Sequence, residues 1–149
     1  MEDGRQAMSG AFVLDCSVTM AWFFAGEATP ETDGILDRLN QGGRAVVAQH
    51  WWLEVANTLL IGERRKRCTP ADAAHFLGIL GALAMDTDPE TAANSTATTL
   101  ALARTHGLTL YDAAYLELAM RTSLSLATLD KELRSAAKKV GVTVLPEKI

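Results

Sequence analysis

The chain of 149 residues contains few of the residues that mark specialised folds: two cysteines, four prolines and 6% aromatic residues. Cys16 and Cys68 are too few for a disulfide framework and too isolated for a zinc site. No apolar run approaches the roughly 18 residues that a membrane-spanning helix needs. The polar stretch from Met1 to Gly10 lacks the apolar core of a secretory signal. These absences predict a cytoplasmic protein without a membrane segment.

Hydrophobic residues make up 48% of the chain and charged residues 21%, which excludes intrinsic disorder and fibrous repeats. The length predicts one domain. We place this domain at residues 11–149, after a flexible polar tail at residues 1–10. The formal net charge is −4, from 14 Lys and Arg against 18 Asp and Glu. That balance argues against a surface that binds nucleic acid everywhere, but it is compatible with an acidic site that holds a divalent metal.

Five short apolar segments alternate with helical patterns along the chain. The predicted strands cover residues 12–14, 45–48, 83–86, 124–127 and 142–145. Between them, apolar residues recur at three- and four-residue spacing, which is typical of amphipathic helices. Because parallel strands need crossover connections, usually helices, the alternation predicts a parallel sheet covered by helices on both faces.

Capping residues predict where several helices begin and end. Ser17 is expected to cap the first helix, and Thr29 and Thr69, each followed by proline, are expected to cap two later ones. One continuous helix is predicted from residue 88 to residue 106, ended by Gly107.

Four acidic residues lie near predicted strand ends. Asp15 follows the first strand, and Glu54 lies early in the helix after the second. Asp112 lies in the first turn of the helix that leads to the fourth strand, and Asp130 lies just past that strand. Since ligands of open parallel sheets bind beyond the carboxyl ends of the strands, we expect the four carboxylates to point at one crevice.

Carboxylates that lie close together repel one another and raise one another's pKa values, and a divalent cation removes that penalty. Mg²⁺ and Mn²⁺ prefer oxygen ligands, and Mg²⁺ usually keeps several waters beside one or two carboxylates. Such a site suits phosphodiester hydrolysis, because the ion polarises the phosphate and neutralises the leaving oxygen.

Each acid also has a purely structural interpretation. Asp112 fits a capping box with Thr109, and Asp130 fits a helix N-cap. Glu54 could be an exposed acid favoured by the helix dipole, and Asp15 could simply lead into a turn. These structural roles do not exclude a shared site.

Four segments resemble those of the PIN domain, and the closest group is the VapC-type toxins of bacterial toxin–antitoxin pairs. The segments are VLDCSV at 13–18, EVAN at 54–57, LYDAAYL at 110–116 and LATLDKEL at 126–133. Their order and spacing extend the resemblance over residues 12–145. Any one of these motifs alone is a weak signal, whereas the four in this order are specific.

The resemblance implies a three-layer α/β/α sandwich with a mostly parallel five-stranded sheet. It further implies a Mg²⁺- or Mn²⁺-dependent ribonuclease that acts on RNA, forms a homodimer and binds an antitoxin protein over its acidic groove. By position, Asp15, Glu54, Asp112 and Asp130 match the four acids that hold the metal and carry catalysis in the family. Ser17 matches a small hydroxyl residue near the metal.

Two other functions stay open from the sequence. A receiver-type signalling domain has a similar fold, with Asp86 or Asp88 as its phosphate acceptor, but Lys148 lies too far beyond the last strand to serve as its lysine. A non-catalytic module with the PIN-like fold could act through protein contacts alone. The intact set of four acids argues against that module.

Several further features receive structural interpretations. The basic run at residues 64–67 fits the C-terminal end of a helix, although it could also contact RNA phosphates. Trp51 and Trp52 are expected to pack the helix against the sheet or a partner. His50 receives no catalytic role, and Arg134 is expected to be an ordinary surface charge.

Overall fold

The computed structural model describes residues 10–149. Of the predicted tail at residues 1–10, all but Gly10 lies outside the described residues. Within that range, five strands form one sheet: β1 (Ala11–Leu14), β2 (Arg44–Val47), β3 (Met85–Thr87), β4 (Leu126–Ala127) and β5 (Val144–Leu145). The strand order is β3-β2-β1-β4-β5, and every neighbouring pair is parallel. The predicted parallel sheet is confirmed.

Eight α-helices connect and flank these strands in the described part of the chain. They are α1 (Cys16–Phe23), α2 (Pro30–Asn40), α3 (Trp51–Arg64), α4 (Pro70–Ala82), α5 (Thr91–Ser95), α6 (Thr98–His106), α7 (Leu110–Thr122) and α8 (Lys131–Lys139). A single 3-10 turn, Ala25–Glu27, follows α1.

The helices fall into two groups that pack on opposite faces of the sheet. Contacts join α1 to α2 and α3, and α3 to α4, whereas α5, α6 and α8 all contact α7. Right-handed crossovers give the same division, since the chain moves one way from β1 to β3 and the other way from β3 to β5. The predicted α/β/α sandwich is confirmed, and no described helix is long and apolar enough to cross a membrane.

The central strands are buried on both faces. Phe12, Val13 and Leu14 of β1 are fully inaccessible to solvent. Trp51, at the start of α3, is also fully buried, so the expected packing of this tryptophan is confirmed. Burial of β1 on both faces fixes the position of its carboxyl end, where the polar residues begin.

Local capping signals are mostly confirmed. Thr29 and Thr69 each form a reciprocal capping box with the residue three positions later, and Gly107 ends α6 in the left-handed conformation (φ 65°). The prediction that Ser17 caps the first helix is wrong. Asp15 is the N-cap of α1, and its Oδ1 accepts from the Val18 N–H at 3.3 Å.

The continuous helix predicted from residue 88 to residue 106 is interrupted. Asn94 and Ser95 donate their side chains to the carbonyls of Glu90 and Ala92, so these side chains turn back onto the short helix α5. Ala97, at φ −129° and ψ −90°, then separates α5 from α6. Side-chain bonds to the backbone and this single non-helical residue divide the predicted helix into two.

Arg134 is buried, with 5% of its surface exposed, so the expectation of an ordinary surface charge is wrong. Its guanidinium donates to the carbonyls of Thr128 (2.9 Å), Pro146 (2.7 Å) and Glu147 (3.2 Å). Arg134 therefore joins α8 both to the loop after β4 and to the C-terminal segment.

Candidate functional site

The sheet changes direction between β1 and β4, and the loops at the carboxyl ends of these two strands lie side by side. The chain leaves β1 toward β2 on one side, whereas β4 continues to β5 on the other. Ligands of open parallel sheets bind at such a switch point. Asp15 follows β1 directly, and Thr128 and Asp130 follow β4.

Asp15 is held by hydroxyl groups from both of these loops. Ser17 Oγ donates to Asp15 Oδ1 at 2.6 Å, and Thr128 Oγ1 donates to Asp15 Oδ2. Only 4% of Asp15 is exposed. Burial raises the pKa of Asp15 to about 7, although the two hydroxyl groups oppose that change and the charge of Asp112 adds to it.

The same two hydroxyl groups fix the loop that carries Asp130. Ser17 Oγ accepts from the Leu129 N–H at 2.8 Å, and Thr128 Oγ1 accepts from the Asp130 N–H at 3.1 Å. Asp130 is the N-cap of α8, as predicted, since its Oδ1 accepts from the Leu133 N–H at 2.8 Å. Asp130 thus combines a structural role with a place beside the switch point.

Glu54 lies in the first turn of α3, where the helix dipole favours an acid. Its Oε1 accepts from the buried Tyr115 hydroxyl of α7 and lies 3.4 Å from His50 Nε2. The side chain of Glu54 is 32% exposed, so it can contact a ligand at the rim of the crevice. Burial and the Glu54 carboxylate raise the pKa of the Tyr115 hydroxyl, which stays protonated as the donor.

Asp112 lies in the first turn of α7 and couples the other acids. Burial raises its pKa, and the charges of Asp130 and Glu54 raise it further. A side-chain hydrogen bond from Thr109 opposes this shift. The Thr109 hydroxyl also accepts from the Asp112 N–H at 3.1 Å, as the N-cap of α7. Asp112 is thus the acid that links the four: its charge raises the pKa of Asp15, and the charges of Glu54 and Asp130 raise its own pKa.

The negative charge of this region is not balanced by nearby cations. Within residues 10–149, none of the four acids forms an ion pair with Lys or Arg, and Glu54 Oε1 lies 3.4 Å from His50 Nε2. An oxygen-only donor set with excess negative charge fits a hard divalent cation.

In the same range, no three His, Cys, Asp or Glu side chains are grouped so that all of them could ligate one ion. Mg²⁺ usually keeps several of its waters and takes one or two carboxylates. The arrangement therefore fits an ion with few direct protein ligands, and the remaining acids would interact with it at longer range.

Sequence reasoning missed three polar side chains that orient the acids. Thr128 bonds Asp15 from 113 residues away, a contact that only the folded sheet creates. Tyr115 follows Asp112 by three positions and His50 precedes Glu54 by four, so helical spacing places each near a predicted acid. Helical spacing could therefore have indicated that Tyr115 and His50 lie near the acids. For Thr128 the sequence gives no such indication, apart from its position directly after a strand.

Comparison with known families gives a match that spans most of the chain. The PIN domain family model matches residues 12–139. The chain belongs to the PIN domain family. Members of this family are generally nucleases, and they typically use a divalent metal ion. A comparison with curated proteins finds no match.

Two solved structures are similar to this PIN domain. PAE2754 from Pyrobaculum aerophilum is 24% identical with a TM-score of 0.65, over 90% of this chain and 83% of that one. FitAcB from Neisseria gonorrhoeae is 19% identical with a TM-score of 0.48, over 91% of this chain and 97% of that one. The first of these supports the fold described above.

The strand order argues against the receiver-type alternative. In flavodoxin-like receivers the third strand is internal, whereas β3 is at an edge of this sheet. Asp86 and Asp88, the predicted phosphate acceptors, are paired with Arg44 at 2.6 Å and with Arg121 at 2.7 Å. Both aspartates are therefore held in ion pairs with arginine, unlike Asp15, Asp112 and Asp130.

Proposed function

We propose that this PIN domain is a divalent-metal-dependent ribonuclease and the toxin component of a toxin–antitoxin pair. The observation that most supports the proposal is the set of mutually coupled carboxylates, without Lys or Arg partners among residues 10–149, at the switch point of the sheet. Family membership adds the general activity of a nuclease.

In this proposal Asp15 and Asp112 are the most direct ligands of Mg²⁺ or Mn²⁺. Glu54 and Asp130 complete the acidic cluster, and Ser17 supports it. When bound, the ion supplies a Lewis acid for the phosphate and a nucleophile at neutral pH. The donor chemistry of the four side chains is compatible with this assignment.

The contribution of the protein is to hold these acids in place. The hydroxyl groups of Ser17 and Thr128 keep both oxygens of Asp15 in one orientation. Tyr115 orients Glu54 in a similar way from the neighbouring helix α7. Acids fixed in this manner need little reorganisation when the charge on the phosphate develops, which is the condition for electrostatic catalysis.

Cleavage of a pool of small RNAs tests the activity. We expect the purified chain to cleave RNA in the presence of Mg²⁺ or Mn²⁺ and not in EDTA. The Asp112→Asn variant should cleave at least about a hundredfold more slowly than the parent. Asp86→Asn is the matched control, because Asp86 is an exposed acid outside the crevice. Equal cutting by the parent and Asp112→Asn contradicts the assignment of the site.

The ends of the products test the mechanism. If water attacks the phosphorus and the bond to the 3′-oxygen breaks, the products carry a 5′-phosphate and a 3′-hydroxyl. An RNA ligase joins fragments with these two ends directly, and treatment with phosphatase abolishes the joining. Products with 2′,3′-cyclic phosphates would show that the ribose hydroxyl is the nucleophile, and the proposed hydrolysis would be wrong.

The antitoxin partner and the homodimer belong to the same proposal. Leu53 and Tyr111 lie next to Glu54 and Asp112 in sequence and are 74% and 63% exposed, which is compatible with a protein that covers the crevice. Light scattering is expected to give twice the 16.0 kDa mass of the chain. A monomer at micromolar concentration would contradict the homodimer.

A further inference from the structure

A basic surface begins where the acidic crevice ends. Helix α8 carries four Lys or Arg residues and a single acid, Glu132. Lys131, Lys138 and Lys148 are exposed and, within residues 10–149, form no ion pair with an acid. We call these three residues the groove lysines. Although the net charge of the chain is −4, this surface is positive.

The groove lysines line one groove between α8 and the C-terminal segment. The groove has a volume of about 530 Å³, and Arg134, Ser135 and Glu147 are among its other lining residues. Among the described residues, Glu147 is the one acidic side chain that lines it. A groove with several cations and one acid attracts a polyanion.

Arg134 adds a buried positive charge to this groove. The three acceptors of its guanidinium are main-chain carbonyls, so no carboxylate neutralises its charge in the described structure. Two of these carbonyls, from Pro146 and Glu147, belong to the segment that carries Lys148. Arg134 therefore fixes the shape of the groove as well as its charge.

Two residues that line the groove, Lys131 and Arg134, adjoin the loop that carries Thr128 and Asp130. Asp130 caps α8, and Lys131 is the next residue. Arg134 also bonds the carbonyl of Thr128, whose hydroxyl donates to Asp15. Lys138 lies seven residues along the helix from Lys131, a distance of about 10 Å at the rise of an α-helix. The basic surface thus leads away from the place where the proposed cleavage occurs.

We propose that this groove binds the phosphate backbone of the RNA beside the bond that is cut. The inference rests on the proposed ribonuclease activity and assigns it a substrate-binding surface. A polyanion whose phosphate lies among four acids needs cations nearby, and lysine ammonium groups bind phosphates as point charges. An acidic peptide is the competing ligand, and the position of the groove beside the loop that carries Asp130 favours RNA.

The salt dependence of RNA binding tests the groove. Fluorescence anisotropy of a labelled single-stranded RNA of about 20 nucleotides is measured in EDTA, from about 50 to about 200 mM KCl. Each phosphate contact contributes about 0.7 to the slope of log K against log salt for single strands. We therefore expect Lys131→Gln/Lys138→Gln/Lys148→Gln to lower this slope by about 2.

The matched control removes the same charge elsewhere. Arg64→Gln/Arg65→Gln/Lys66→Gln changes three exposed cations at the end of α3, and we expect its slope to stay within about 0.7 of the parent slope. Arg67 is left intact because it pairs with Glu27 at 3.1 Å. Urea unfolding midpoints verify that both variants fold. Single-stranded DNA of the same sequence is expected to show the same loss, since the lysines contact phosphates.

Any of three results would contradict the proposal that the groove binds RNA. These are no RNA binding by the parent, equal slope changes in both triple variants, and tighter binding of a polyglutamate peptide of equal charge. The cleavage assay separates this inference from the proposed activity. If the parent cleaves RNA with metal but the groove variant has the same salt slope as the parent, the groove proposal is wrong and the nuclease proposal stands. If the groove variant has a lower slope but the parent never cleaves RNA, the groove proposal stands and the nuclease proposal is wrong.

Discussion

Asp15 shows how one residue combines a structural role with a chemical one. It caps α1, and its two carboxylate oxygens accept hydroxyl groups from two different loops. Its burial raises the pKa to about 7 from the ordinary value of 3.8. A carboxylate that caps a helix is usually charged and exposed, so this pKa marks a site at which an external cation would favour ionisation.

The first prediction concerns Asp15 and pH. Because the folded state binds the proton of Asp15 more tightly than the unfolded state, the metal-free chain should lose stability as pH rises from about 4 to about 7. Asp15→Asn keeps a good N-cap and removes this ionisation. Its unfolding midpoint in urea with EDTA should therefore fall less with pH, and at pH 8 the variant should be at least as stable as the parent.

Asp112 also has a raised pKa, so we expect Asp15→Asn to reduce the pH dependence without abolishing it. Asp86→Asn is the control, because hydrogen bonds with Arg44 lower the pKa of Asp86. Ionisation of Asp86 therefore stabilises the folded chain as pH rises, which is opposite to the effect of Asp15. An Asp15→Asn chain that does not fold would assign Asp15 a structural role alone.

The second prediction concerns Tyr115. Tyr115→Phe removes the donor that orients Glu54 while keeping the buried ring. Loss of a residue that orients a metal ligand typically weakens metal affinity 10- to 100-fold, and we expect about tenfold weaker Mn²⁺ binding by calorimetric titration. Tyr111→Phe is the matched control, since Tyr111 is exposed and contacts His50 through its carbonyl and ring. Equal affinities in both variants would argue against an orienting role.

At the scale of elements, an ion cluster fixes the end of α7 to the loop after β3. Arg121 bonds Glu117 of its own helix at 2.8 Å and Asp88 at 2.7 Å. Both acids are almost completely buried, with 4% and 5% of their side chains exposed. None of its residues is one of the four acids of the crevice, and we assign it a structural role.

The third prediction concerns this cluster. Arg121→Gln leaves two buried carboxylates without their cation, which should cost roughly 3–5 kcal/mol in the free energy of unfolding at neutral pH. Arg44→Gln is the control, because the Arg44–Asp86 pair is about half exposed on both sides and should contribute little. Chemical unfolding of the two variants measures the difference. Similar losses in both would show that the buried cluster is not a stabilising contact.

Helix boundaries could be predicted where the signal is local. The caps at Thr29 and Thr69 and the end at Gly107 depend on bonds within four residues, and the sequence shows these directly. Arg134 is different, because its acceptors include carbonyls 12 and 13 residues away that only the folded chain brings together. Its burial could not be predicted from periodicity.

At the scale of the whole molecule, a parallel sheet predicts that the four acids lie at one edge, whatever the order of the strands. All parallel strands end at the same edge of the sheet, so residues that follow them share that edge. The order β3-β2-β1-β4-β5 could not be predicted by this reasoning. This strand order places Asp15 and Asp130 after neighbouring strands. Hydrogen bonds of the Ser17 and Thr128 hydroxyl groups then join the two loops.

Charge at this scale is divided between two adjoining regions. The crevice is acidic, and the α8 surface that begins at Lys131 is basic. In our proposals the first holds a hard cation and the second attracts a polyanion. The net charge of −4 conceals this division, which is why composition alone could not identify the basic groove.

Equilibrium binding of Mn²⁺, followed by the electron paramagnetic resonance of the free ion, tests the central claim most directly. We expect the parent chain and Asp86→Asn to bind Mn²⁺ with equal affinity, and Asp112→Asn to bind at least about tenfold more weakly. Because the readout is binding, the choice of RNA does not affect it. If the parent binds no Mn²⁺, or if Asp112→Asn binds it as tightly as the parent, the acidic crevice is not the metal site and the account is wrong.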